Sequence, residues 1–176
     1  MRRLLLFRHA KSSWQDDGQD DFDRPLNGRG RKATPVTAAY LQRNGLFPDL
    51  ILCSTACRAR ETLALALPFL QGEATILLED RLYLASAAKL FNRLRDVDDR
   101  FADVMIVAHN PGLQDLALML AENGSDDDMT LIRSKFPTAA LAQIDFTSES
   151  WSAVMRRSGT LVRFVTPRVL AGDATD

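Results

Sequence analysis

The chain contains two histidines, and each directly follows a short apolar run. Leu4-Leu5-Leu6-Phe7 precedes Arg8-His9, and Val104-Met105-Ile106-Val107-Ala108 precedes His109-Asn110-Pro111-Gly112. Neutral imidazole, whose unperturbed pKa is about 6.5, is a competent nucleophile near neutral pH. Arg8 offers a planar fork of N–H donors suited to the non-bridging oxygens of a phosphate, and Ser12 can donate a further bond. A third segment, Ser54-Thr55-Ala56-Cys57-Arg58-Ala59-Arg60-Glu61-Thr62, places Arg58 in a first helical turn, where free backbone N–H groups already favour an anion. Arg60, two residues on, points elsewhere. Taken singly, these are a surface arginine, a hydrogen-bonded histidine at a loop mouth and a helix start. Together they offer two imidazoles and two guanidiniums that can converge on one anion. That is the equipment for phosphoryl transfer on a nucleophilic histidine.

Strands and helices must bring these groups together. Runs rich in Val, Ile, Leu and Phe read as strands at about 3–8, 49–53, 75–78, 103–108, 139–146 and 160–166. Ala33, Val36, Thr37, Tyr40 and Leu41 repeat at helical spacing, with Asn44-Gly45 closing that helix and Pro35 in its first turn or at a kink. A second helix begins near Ala56 and ends or kinks before Pro68, and its apolar half from Leu63 to Leu67 is expected to be buried. Leu90, Phe91, Leu94 and Val97 mark a third helix. Leu113, Leu116, Ala117 and Leu120 mark a fourth, with Pro111 at its first position. The alternation predicts an α/β fold with a mostly parallel central sheet covered by helices on both faces. The residue just past such a strand sits where these folds bind ligands. The last two strands, with no clear helix between them, are expected to form an antiparallel edge. Glu122–Asp128 reads as a solvated acidic loop, and Asp16, Asp17, Asp20, Asp21 and Asp23 as a solvated face rather than partners for His9. One domain is expected over 1–166, with a loosely held tail at 167–176.

At 176 residues, 46% hydrophobic and 26% charged, the composition is that of an ordinary globular domain. Twenty-two Lys and Arg against 23 Asp and Glu leave no basic excess, which argues against a nucleic-acid partner. No stretch is long enough to span a bilayer, and the four apolar residues before Arg8 are too few for a secretory signal, so no membrane partner and a cytoplasmic location are expected. Cys53 and Cys57 complete neither a disulfide framework nor a four-ligand zinc site and read as small packed side chains.

The motifs resemble those of the histidine phosphatase superfamily, the phosphoglycerate-mutase-like fold, and within it the short SixA-type phosphohistidine phosphatases. Leu6-Phe7-Arg8-His9-Ala10-Lys11-Ser12 is similar to the family's Arg-His-Gly-x-Ser signature, with Ala10 in place of glycine. Asp23-Arg24-Pro25-Leu26-Asn27-Gly28-Arg29-Gly30 resembles the loop that opens its first helix. Ser54 to Thr62 matches Ser-x-x-x-Arg-Ala-x-x-Thr, with Thr55 where proline is common. Ala108-His109-Asn110-Pro111-Gly112 resembles its Gly-His-Asn-Pro-Gly turn, with Ala108 for glycine. The match covers roughly residues 3–165, with the motifs in the family's order.

The resemblance implies in-line attack by His9 on phosphorus, giving a phosphoenzyme that water hydrolyses. Arg8, Arg58 and His109, with Ser12, would hold the phosphoryl oxygens, and no metal or other cofactor is implied. His109 is expected to be raised in pKa by the bound dianion and His9 lowered by its arginine neighbours. Larger members use a general acid after the third strand, for which Glu79 and Asp80 are the candidates. Lys11, Trp14, Arg24 and Asn110 are candidates for the pocket rim. A poorly placed acid favours a phosphorylated imidazole, a better leaving group than an alkoxide, because general-acid help is worth about 10²–10⁴-fold. The short chain lacks room for the inserted subdomain of larger members, so an open pocket taking a phosphohistidine-bearing protein is expected. A broad phosphomonoesterase and a phospho-ligand-binding module are the alternatives. The oligomeric state is left open.

Overall fold

Seven strands form a single sheet: β1 (Arg2–Arg8), β2 (Leu50–Ser54), β3 (Thr75–Glu79), β4 (Asp103–Ala108), β5 (Ala121–Gly124), β6 (Leu141–Phe146) and β7 (Gly159–Val165), in the order β3-β2-β4-β1-β6-β7-β5. The coordinates are a computed structural model and describe residues 1–172. β6 runs antiparallel to both of its neighbours, β1 and β7, while the pairs β1–β4, β2–β3, β2–β4 and β5–β7 are parallel. The helices are α1 (Gly28–Arg43), α2 (Cys57–Ala66), α3 (Ala87–Arg95), α4 (Gly112–Leu120), α5 (Asp126–Ser134) and α6 (Pro167–Gly172). This is the α/β class expected from the sequence.

Both faces of the central strands are buried, which is why they read as unbroken apolar runs. Leu4 and Leu6 of β1 point into a core shared with α3, α4 and α5, together with Trp151. Leu5 and Phe7 point the other way, into a core shared with α1 and α2. All four are fully buried, each contributing ~1.5–3 kcal/mol of apolar burial. The ends of β1 and β4 are thereby fixed side by side. Arg8 pairs with Ala108, and the His9 amide donates to the Ala108 carbonyl at 3.1 Å. The methyls of Ala10 and Ala108 are fully buried in these cores.

Some expectations need correction. Leu141–Phe146 and Gly159–Val165 pair antiparallel as expected, but β7 is not an edge, because Ala121–Gly124 adds outside it as a parallel strand. The acidic stretch is therefore not a loop. Its first residues form β5, and Asp126, Asp127 and Asp128 make the first turn of α5, where the helix dipole favours carboxylates and the Ser125 hydroxyl caps Asp128. Ala64 and Leu67 in the second half of the α2 region are exposed. Pro35 lies inside α1, beyond the first turn, and Pro111 caps α4 rather than opening it. Residues 167–172 of the expected tail form α6, which packs on α1 and buries Leu170. Residues 173–176 of that tail lie outside the described residues.

Candidate active site

His9 and His109 leave the C-terminal ends of adjacent parallel strands, and their rings stand 5.0 Å apart between centroids. Arg58 joins them from the first turn of α2, after β2. The backbone that follows β1 is tied to its surroundings. The Ala10 amide donates to Thr62 Oγ1 at 2.9 Å, and that hydroxyl donates to the Arg58 carbonyl at 2.6 Å. Gly30 lets α1 approach this segment, since a Cβ there would lie 2.2 Å from the Lys11 carbonyl oxygen.

His9 is buried, and its Nδ1 lies 2.7 Å from its neighbour's carbonyl, Ala10 O, which can only accept. The proton therefore sits on Nδ1. Nε2 keeps its lone pair and accepts from Arg58 Nε at 3.3 Å. Burial, with smaller contributions from His109, Arg58 and Arg8, lowers the His9 pKa to about 3 against an opposing hydrogen bond to Ala10. The ring is a neutral base at physiological pH, with the Nε2 lone pair on the side of Arg58.

His109 is also buried, and its Nε2 meets Ser54 Oγ at 2.7 Å, while Nδ1 has no hydrogen-bond partner. Burial first, then Arg58, lowers its pKa to about 3. The protein by itself thus lowers both histidines, and the upward shift expected for His109 is left to a bound dianion. Arg8 donates to the Phe136 carbonyl at 2.7 Å, beside Asn110 Nδ2, which donates to the same oxygen at 3.0 Å. Burial first, and then the neighbouring Arg58, pull Arg8 below its ordinary pKa.

The cleft formed by these groups has a volume of about 400 Å³ and also takes in Lys11, Ser12, Trp14, Asp21, Arg24, Leu84, Asn110 and Thr138. Arg24 is buried. It donates to Ser12 Oγ at 2.7 Å and to Asp21 Oδ1 at 2.8 Å, with its guanidinium 3.1 Å from the Trp14 ring centre. Sequence reasoning missed Asp21, Tyr83 and Ser54 as site residues. Asp21 accepts from Arg58 at 2.9 Å and from the Tyr83 hydroxyl at 2.6 Å, and its carbonyl also accepts from Arg58. Burial tends to raise its carboxyl, but the bonds from Tyr83, Arg58 and Arg24 prevail and hold it down at about 2. Tyr83 packs its ring edge-on against His109 at 5.4 Å.

The proposed general acids are not brought to the cleft. Glu79 is clamped by Arg93, with bonds of 2.8–3.0 Å, and by Arg81 at 2.7 Å. Burial would raise its pKa, but these arginines hold it below the usual carboxylate range. Asp80 accepts from Thr55 Oγ1 at 2.6 Å and lines a neighbouring hollow. Cys53 is no nucleophile, because burial pushes its thiol up to about 12. Among the described residues no group of three or more His, Cys, Asp or Glu stands together to hold a metal, and no helix is long and apolar enough to cross a membrane.

Residues 4–83 match the family model of the histidine phosphatase superfamily, branch 1. An uncharacterised protein of Mycobacterium leprae is 33% identical over 165 residues, which is 92% of this chain and 99% of that one. The fold overlays on a protein from Agrobacterium tumefaciens put forward as the phosphohistidine phosphatase SixA, with a TM-score of 0.78 and 30% identity, covering 94% of this chain and 98% of that one. A second protein put forward as SixA, from Nakamurella multipartitia, overlays with a TM-score of 0.80 at 25% identity, covering 94% and 96%. With its paired histidines, flanking arginines and these relatives, the chain belongs to the histidine phosphatase superfamily and is SixA-like in fold.

Proposed function

We propose that the protein hydrolyses phosphohistidine on proteins, without a metal, by way of a phosphoenzyme formed on His9. Membership of the superfamily supports phosphatase activity, and the two SixA-named relatives support the substrate class. In the first step His9 Nε2 forms a bond to phosphorus as the P–N bond to the substrate imidazole breaks, and the departing nitrogen takes a proton from solvent. In the second step water attacks the phosphoryl group, the Nε2–P bond breaks, and inorganic phosphate leaves after losing a proton to solvent. Arg8 and Arg58 carry the charge that shifts among the phosphoryl oxygens, and the unpartnered, buried Nδ1 of His109 can bond to one of them once protonated. A dianion beside His109 favours that proton.

The observation that carries the choice of substrate is the bonding of Asp21, which accepts from Arg24, Arg58 and the Tyr83 hydroxyl. Asp21 is the carboxylate among the residues lining the cleft, and with a pKa of about 2 it has no proton to give an alkoxide. A leaving imidazole needs far less help than an alcohol. The partner is then a phosphorylated protein, met in the cytoplasm and admitted by an open cleft.

The test is phosphate release from a phosphohistidine-bearing protein and from p-nitrophenyl phosphate, side by side in metal chelator, for the wild type and His9→Ala. Release that favours phosphohistidine, survives chelation and disappears in the variant is expected. Equal or faster turnover of the ester would move the assignment to a general phosphomonoesterase. Binding without turnover would make the chain a phospho-ligand module.

A further inference from the structure

A second groove opens beside the catalytic cleft and shares Lys11 and Thr138 with it. Its volume is about 480 Å³, and its charged lining residues are Lys11, Arg29, Lys135 and Arg168. These cations come from four separate segments: the turn after β1, the first turn of α1, the end of α5 and the first turn of α6. All four are exposed, and none of their side chains makes a hydrogen bond or ion pair with another described residue. Arg29 lies at the positive end of the α1 dipole, and α1 has no acidic residue in its first turn to offset it. Local stability favours an acidic residue there, so the cation is better explained by a ligand than by the helix.

We propose that this groove docks an acidic segment of the protein substrate that flanks the phosphohistidine. The proposal rests on the phosphohistidine reading for what occupies the cleft. Lys11 lies two residues beyond His9, a chain span of at most ~7 Å. A polypeptide whose phosphorylated side chain reaches His9 is therefore within a residue or two of Lys11, which the cleft shares with the groove. Four cations with no partner among the described residues, in a groove of that size, suit a short run of carboxylates. A nucleic acid would require a longer basic track, and the chain as a whole has a net charge of −1.

The experiment uses two fluorescent peptides carrying an unphosphorylated histidine, one flanked by Asp and Glu and the other by Asn and Gln. Both are titrated against the full chain and against the triple variant Arg29→Gln, Lys135→Gln, Arg168→Gln. Hydrolysis of free phosphohistidine is measured on the same samples. The wild type is expected to prefer the acidic peptide, with the preference falling as salt rises. The triple variant should lose about tenfold in affinity for the acidic peptide while keeping its rate on free phosphohistidine. Equal binding of both peptides, no change in the variant, or tighter binding of a single-stranded oligonucleotide than of the acidic peptide would overturn the proposal. Loss of turnover of free phosphohistidine in the variant would do so too, since it would mean a structural role. Failure of the wild type to hydrolyse phosphohistidine at all would sink the substrate reading instead, and the peptide titration would still report on the groove.

Discussion

Because both histidines are buried and pushed to a pKa of about 3, acidification should destabilise this fold well above the pH at which its carboxylates titrate. In the unfolded chain each imidazole titrates near 6.5, whereas in the folded chain it stays neutral until about pH 3. The unfolded state therefore binds more protons below about pH 6.5, and stability is complete above that value and falls as pH drops beneath it. From about pH 7.5 to about pH 5, each histidine should remove roughly 2 kcal/mol, or roughly 4 kcal/mol for the pair. That is a large part of the ~5–15 kcal/mol that holds a typical domain together. Asp21, held at about 2, loses its contribution as pH falls through the ordinary carboxylate range toward about 2, beneath this window, which therefore belongs to the imidazoles. Urea unfolding across the window measures the loss, and His9→Asn and His109→Asn should each flatten the profile by about half. With two histidines in the chain, ring-nitrogen NMR resolves each separately. Inorganic phosphate should raise the His109 midpoint, since the dianion opposes the burial that lowers it. An imidazole that titrates near 6.5 in the free protein, or a wild type whose stability is flat over the window, would refute the reasoning.

Three substitutions probe separate parts of the structure. Glu79→Gln removes the partner of Arg93, whose side chain is 9% exposed, and should cost ~1–3 kcal/mol in urea or thermal unfolding while leaving phosphatase turnover unchanged. A selective loss of ester hydrolysis would instead restore Glu79 as a general acid. Asp21→Asn removes a negative charge from the cleft and frees Arg58, so inorganic phosphate should bind about threefold tighter by calorimetry. Weaker binding would show that Asp21 matters chiefly for orienting Arg58. Gly112→Ala would set a methyl 1.9 Å from the Ala85 carbonyl oxygen, and because both sides of that contact are backbone the variant should lose ~1–3 kcal/mol. The turn carrying His109 should shift with it, and activity should fall along with the melting temperature.

What the sequence disclosed follows from which signals are local. Six of the strands are short apolar runs, and Arg8, His9, Arg58 and His109 each stand just beyond one, so the strands and the candidate site were legible together. Ala121–Gly124 was not, because Ala-Glu-Asn-Gly has no β-branched or aromatic residue and is a strand only through pairing with β7. The three aspartates of α5 look like a solvated run until Ser125 is seen capping them. Asp21 was hidden for a different reason. It is one of five aspartates within eight residues, and the partners that single it out, Arg58 and Tyr83, lie 37 and 62 residues further along the chain. No short-range pattern marks which member of such a run will face a buried guanidinium. Yet Asp21 is the carboxylate lining the cleft, and its bonds from Arg58, Arg24 and Tyr83 favour its ionised form. The cations that suit a phosphate could be read beside their strands, whereas the carboxylate that binds two of the cleft's guanidiniums became visible only with the fold.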